Sequence, residues 1–304
     1  MRRFQNGVWP TMLTLYTEDY EVDENALSAL IDWYVKEGVS GLFAVCQSSE
    51  IFYLTLAERL RLASLSVRKA AGRVPVIASG HVAYALSQQI DELKALADSG
   101  VDALILIANR LADPAEDDRV LLRRLERILS ALPDKLPLGI YECPYPYKRL
   151  ISPDVFRYLI SSKRFYFLKD TCCDGERIEE RLRLTRGTCL KIFNANTATL
   201  LDSLRAGGAG YSGVMANFHP KLYAWLCQNP THARAESVRD FLSMAALIEL
   251  RHYPANAKLA LQRMGLPVRL LTRSYAHLEL GKAEQKEVDQ LLELSKKTEK
   301  ELGL

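Results

Sequence analysis

Long apolar runs are missing from this chain. None reaches the ~18 residues that a membrane-spanning helix needs, and Met1 to Asn6 are not followed by the apolar stretch of a secretion signal. A cytoplasmic protein is therefore expected. Charge of one sign is not in excess either: 40 Lys and Arg against 37 Asp and Glu leave +3, which gives no electrostatic reason to expect nucleic acid or a membrane surface as partner. Metal-ligand spacing is absent as well. The six cysteines (Cys46, Cys143, Cys172, Cys173, Cys189, Cys227) form no C-x-x-C pair, and the adjacent Cys172-Cys173 has poor chelating geometry, so the expectation is reduced thiols and no metal. No G-x-G-x-x-G follows the first apolar stretch, which argues against a dinucleotide-binding open sheet.

What is present is an alternation. Val8 to Leu15 reads as a strand, and Asp23 caps a helix whose Leu27, Leu30, Ile31 and Tyr34 share one face. Gly38 ends that helix, and the short apolar run Gly41 to Val45 follows. Thr55 to Glu58 is a capping box opening a second helix that ends near Gly72, ahead of the strand Val74 to Ala78. A third helix through Leu86, Ile90, Leu93 and Ala97 ends at Gly100 before Val101 to Ile107. A helix over Pro114 to Ser130, the strand Leu136 to Tyr141 and a helix opening at Ser152-Pro153 continue the pattern. Phe165 to Asp170, a helix around Arg177 to Leu184, Cys189 to Phe193, a helix through Leu200 and Leu204, Ala209 to Met215 and a helix over Asn217 to Gln228 complete it. Eight βα units over residues 1–230 have the size and order of an α/β TIM (β/α)8 barrel. From residue 231 the strands stop. Ala235 to Arg251, Ala255 to Met264 and Ala283 to Glu301 read as helices, so residues 231–304 form a helical C-terminal extension, with no low-complexity linker before it.

In such a barrel the chemistry gathers at the C-terminal ends of the strands. Those ends carry Cys46-Gln47-Ser48-Ser49-Glu50, Ser79-Gly80-His81, Tyr141-Glu142-Cys143, Lys169-Asp170 and Asn194-Ala195-Asn196. Lys169 stands out. An ammonium at the end of a buried apolar strand is costly to keep charged, so its pKa falls and it becomes an amine nucleophile. Each of these residues has a plainer reading: a lysine where a strand meets water, serines capping a helix, a core tyrosine, a satisfied loop histidine. Their convergence on one mouth is what those readings leave unexplained.

Lys169-Asp170-Thr171 on the sixth strand and Tyr141-Glu142-Cys143-Pro144 on the fifth resemble the Lys-Asp and Tyr-Asn-x-Pro elements of the dihydrodipicolinate synthase and N-acetylneuraminate lyase superfamily of pyruvate-dependent class I aldolases. Gly38 to Glu58, Ala209 to Asn217 and Asn256-Ala257-Lys258 resemble further stretches of it, so the likeness covers nearly the whole chain. The resemblance implies a Schiff base between Lys169 and a 2-oxo acid, Tyr141 as proton shuttle, no separate cofactor, and a homotetramer or homodimer. It also implies that Gln47, Ser48 and Ser49 bind the substrate carboxylate, although Gln47 replaces a Ser or Thr and the loop's two glycines are lost. Pro146 stands where dihydrodipicolinate synthases carry an Arg for a second carboxylate, leaving Lys148 and Arg149 as substitutes, and Ala108 to Leu111 lacks the Pro-Tyr-Tyr that supplies a tyrosine to a neighbouring subunit. With Ser212 and His81 adding polar groups, a hydroxylated 2-keto-3-deoxy acid is the expected substrate. The alternatives are 4-hydroxy-tetrahydrodipicolinate synthase of lysine biosynthesis and, from another class, a non-catalytic barrel that binds a keto acid or sugar acid.

Overall fold

The computed structural model describes residues 4–304; Met1 to Arg3, part of the stretch inspected above for a secretion signal, lie outside the described residues. The short apolar runs form eight strands: β1 (Gly7–Val8), β2 (Leu42–Val45), β3 (Val76–Ala78), β4 (Ala103–Ile107), β5 (Leu138–Tyr141), β6 (Phe165–Asp170), β7 (Lys191–Asn194) and β8 (Gly210–Tyr211). All pair in parallel, in the order β1-β8-β7-β6-β5-β4-β3-β2. The ring closes between β1 and β2 through a parallel bridge of Thr11 to Phe43, with Met12 N–H donating to Phe43 O at 3.0 Å and Phe43 N–H to Pro10 O at 3.1 Å. Parallel neighbours need crossovers, and helices supply them. The caps expected from sequence set their starts. Asp23 accepts from Asn25 and Ala26 N–H, Thr55 and Glu58 exchange hydrogen bonds, and Ser152 precedes Pro153 at the first helical position. The fold is a TIM barrel.

Several spans differ from the sequence expectation, three of them for a visible reason. The first strand stops at Val8 rather than running to Leu15, because Pro10 has no N–H for the ladder and only Thr11 regains a bridge. The eighth stops at Tyr211, and Val214–Asn217 coil into a 3-10 turn tied by Asn217 Nδ2 to Val214 O at 2.9 Å. The helix expected to reach Arg251 is α-helical over Ala235–Ala245 and tightens to a 3-10 turn over Ala246–Leu250, ahead of Pro254.

Trp9, Phe43, Phe167 and Phe193 fill the barrel with no exposed surface, Phe167 stacked on Phe193 at 4.2 Å between ring centres and Trp9 edge-on to both. Gly41 leaves room for the Trp9 ring, which any Cβ there would strike. At Gly210, with φ +148, a Cβ would collide with the carbonyl of Gly7, so the β1–β8 seam requires glycine. After the barrel, Ala255–Arg263 and Lys282–Leu302 pack together, and Ser295 Oγ bonds His219 Nδ1 at 2.7 Å to tie the last helix to the barrel. Among the described residues no helix is long and apolar enough to cross a membrane.

Candidate active site

The C-terminal ends of the strands open into a cavity of about 550 Å3. Tyr141 and Lys169 lie side by side on its floor because β5 and β6 pair them directly in register. Lys169 is 4% exposed, and its Nζ lies 4.3 Å from the centre of the Tyr141 ring. Its Nζ makes no hydrogen bond or ion pair among the described residues. Burial lowers its pKa below the usual lysine range, opposed only by neighbouring Cys46, Cys143 and Glu249. The aromatic face attracts the ammonium weakly but does not replace water or a counter-ion. Tyr141 is buried as well, which raises its phenol well above its usual pKa, and its hydroxyl donates to Gln47 Oε1 at 3.4 Å.

The residues next to this pair in sequence turn away from the cavity and into the wall. Glu142 and Asp170, both fully buried, share one guanidinium. Arg181 donates to Glu142 Oε1 at 2.7 Å and to Asp170 Oδ2, and also to Ile151 O at 2.7 Å. Burial, with Asp170 adding to it, holds the Glu142 pKa up against the pull of Arg181. Glu142 also accepts from Ile151 N–H at 2.8 Å and Thr171 N–H at 3.0 Å. The triad thereby welds the ends of β5 and β6 together beneath the lysine.

The family model described as dihydrodipicolinate synthetase matches residues 4–295. The chain belongs to the dihydrodipicolinate synthetase family. Members are lyases of the class I aldolase type, and this chain is an enzyme of that class. A 4-hydroxy-tetrahydrodipicolinate synthase from Saccharophagus degradans is 28% identical over 264 residues, covering 86% of this chain and 89% of its own. Among solved structures, YagE, a prophage protein of Escherichia coli K12 in complex with pyruvate, superposes with a TM-score of 0.86 at 22% identity, covering 96% of this chain and 98% of its own. CdNal from Clostridium difficile, in complex with mannosamine, gives a TM-score of 0.84 at 17% identity, covering 95% and 99%.

Gln47, Ser48 and Lys148 line the cavity with Lys169 and Tyr141. Ser48 Oγ donates to Thr11 Oγ1 at 3.0 Å, and Lys148 Nζ donates to Thr171 O at 2.7 Å. Four residues expected at the mouth are elsewhere. Ser49 Oγ is consumed by the carbonyls of Met12 (2.7 Å) and Ala44 (2.9 Å), bracing the loop from beneath. Ser212 Oγ donates to Trp9 O at 2.9 Å across the barrel seam. His81 is fully buried between β3 and β4, its Nε2 accepting from Ile107 N–H at 2.7 Å and its Nδ1 lying 3.1 Å from Gln89 Oε1; burial pulls its pKa down to about 4. Arg149 points outward to Asp118 at 3.0 Å and to the carbonyls of Asp113 and Glu116. The turn Ala108–Leu111 supports the loop after β5: Asn109 Nδ2 donates to the carbonyls of Cys143, Tyr145 and Tyr147.

Sequence reasoning missed half of the cavity wall. Glu249, Tyr253, Ser274 and Tyr275 come from the segment after the barrel, and Phe52 and Tyr145 from loops. Glu50 holds Ser274 there, accepting from its N–H at 2.7 Å and its Oγ at 2.8 Å. Only the Asn256-Ala257-Lys258 likeness hinted at this: Lys258, fully buried, lies 3.4 Å from Glu50 and donates to Leu271 O. Among the described residues no group of three or more His, Cys, Asp or Glu could hold a metal ion.

Proposed function

We propose that this protein is a class I aldolase or lyase in which Lys169 forms an imine with pyruvate or a related 2-oxo acid, and that it makes or breaks a C–C bond in a hydroxylated 2-keto-3-deoxy acid. The observation that carries this is the Lys169 amine, buried without a counter-ion on the cavity floor beside the Tyr141 phenol. A lowered pKa leaves a larger fraction of the amine with its lone pair free. It attacks the C2 carbonyl, whose oxygen leaves as water after taking two protons, and a protonated imine remains. Loss of a C3 proton yields an enamine. Its C3 attacks an aldehyde carbon while the aldehyde oxygen takes a proton, and water then hydrolyses the imine to release the product and the free lysine. Cleavage is the reverse of this sequence.

The Tyr141 hydroxyl is the proton carrier in this scheme. Gln47 suits the C1 carboxylate: its Oε1 is engaged by Tyr141 and by Cys143 Sγ, each at 3.4 Å, while its Nε2 has no partner among the described residues. Ser48 beside it carries a second polar group. We take the protein as cytoplasmic and as a homotetramer or homodimer; balanced charge and six unpaired cysteines support the first. The names of curated relatives favour a lysine-pathway synthase as the second reading. Pro146 and the engagement of Arg149 with Asp118 weigh against it.

Incubation with pyruvate and borohydride tests the proposal. The expected result is a mass increase from a reduced imine, mapped to the peptide containing Lys169 and lost in Lys169→Ala and Lys169→Arg. An adduct on Lys258 or another lysine overturns the site. No adduct with pyruvate or with larger 2-oxo acids overturns the Lys169 imine.

A further inference from the structure

Glu249 is the charge in the cavity that the imine chemistry does not use. It sits on the 3-10 turn Ala246–Leu250, lines the cavity together with Lys169, and makes no hydrogen bond or ion pair among the described residues. Glu249 is exposed at the cavity wall, and the desolvation it does feel raises its pKa from the usual glutamate value; the only charge that opposes this is Lys169. Of the cations near the mouth, the two arginines are already paired with carboxylates and Lys148 is tethered by one hydrogen bond. Arg149 pairs with Asp118, Arg273 with Glu58, and Lys148 donates to the Thr171 carbonyl. Besides Lys148 and the Lys258-paired Glu50, the rest of the outer wall is uncharged, with Phe52 packed edge-on against Tyr145 at 5.1 Å.

We propose that Glu249 selects the second half of the substrate, accepting hydrogen bonds from the hydroxyl groups of a neutral polyol aldehyde and repelling aldehydes that bear a carboxylate. This rests on the imine reading above. Hydroxyls can donate to a carboxylate that has no other partner, and such charge-assisted bonds are the stronger ones. A carboxylated aldehyde would instead place like charges together at the cavity wall, a penalty that works as discrimination against the wrong partner. Once Lys169 has become a neutral enamine, the opposing cation is gone, so the repulsion is greatest at the moment the aldehyde must enter.

The test compares pyruvate condensation with D-glyceraldehyde and with succinic semialdehyde in the wild type, Glu249→Gln and Glu249→Arg. The wild type is expected to prefer glyceraldehyde. The ratio of kcat/KM, semialdehyde over glyceraldehyde, should rise about tenfold in Glu249→Gln and further in Glu249→Arg. Borohydride labelling of Lys169 in each variant shows that nucleophile and fold persist. Ratios within about twofold of the wild type in labelled variants overturn the selection by Glu249 and leave the imine reading standing. Failure of the wild type itself to label overturns the imine reading, and this inference falls with it.

Discussion

Tyr141 presents its hydroxyl to an amide oxygen, and that partner limits what the phenol can do. Gln47 Oε1 accepts the hydrogen bond at 3.4 Å but does not pass a proton on, whereas a Ser or Thr hydroxyl both accepts and donates. The phenol must therefore exchange protons with the substrate directly. Tyr141→Phe is expected to keep borohydride labelling at Lys169 yet lose on the order of 10²–10⁴ in kcat; unchanged turnover would remove Tyr141 from the mechanism. Burial lowers the Lys169 pKa, so the free-amine fraction saturates early on raising pH. The rate of imine formation should climb and then level off clearly below the ordinary lysine value of about 10.4, and a profile still climbing there would show an unperturbed ammonium. Lys169 and Tyr141 were legible because a charged and a phenolic side chain end two otherwise apolar strands. His81, Ser49 and Ser212 were misplaced for a physical reason. Barrel strands such as Ala103–Ile107 are buried on both faces, so no polar alternation marks which side chains turn toward the mouth.

At the level of elements, the first turn after β2 and the chain near residue 274 behave as one unit. Glu50, in the left-handed conformation at φ 59, accepts from Arg273 N–H at 2.7 Å as well as from Ser274, while Arg273 itself pairs with Glu58 at 2.5 Å. Lys258 lies behind, its pKa drawn down to about 8 chiefly by burial against the pull of Glu50. Hydrogen bonds to a charged group are worth about 1.5–3 kcal/mol each, and an amide offers one acceptor where the carboxylate offers two. Glu50→Gln should therefore lower Tm and speed limited proteolysis between Leu271 and Leu278. An unchanged cleavage pattern would mean that the Arg273–Glu58 pair alone holds the segment. Helix starts were readable at Asp23, Thr55 and Ser152 because a cap is a local device. Residues 266–281 carry no helical or strand period, and their place over the mouth depends on Glu50, more than 200 positions earlier in the sequence. No local pattern encodes such a contact.

For the whole molecule, acid is the expected weakness. Burial draws His81 down to about 4 and His219 to about 3, from an ordinary value near 6.5. Across that window the unfolded chain binds protons that the folded one refuses, so stability is complete above pH ~6.5 and falls as pH drops through the folded values. Each histidine contributes at most about 1.4 kcal/mol per pH unit. Denaturant midpoints measured from pH 7 to pH 4.5 should drop steeply, with a shallower slope in His219→Gln; equal slopes would place the acid sensitivity elsewhere. The barrel as a whole was legible, since eight alternating units admit few topologies. The cavity was legible only in part, because Glu249, Tyr253, Ser274 and Tyr275 reach its wall from outside those units.

The seam between Gly7 and Gly210 also has a consequence for synthesis. A chain leaving the ribosome exposes β1 first and must keep that edge unpaired until about 200 further residues have emerged. The floor bearing Lys169 exists before Glu249 and Ser274 have been translated. A chain halted between those points would carry Lys169 without the residues that complete the cavity wall around it.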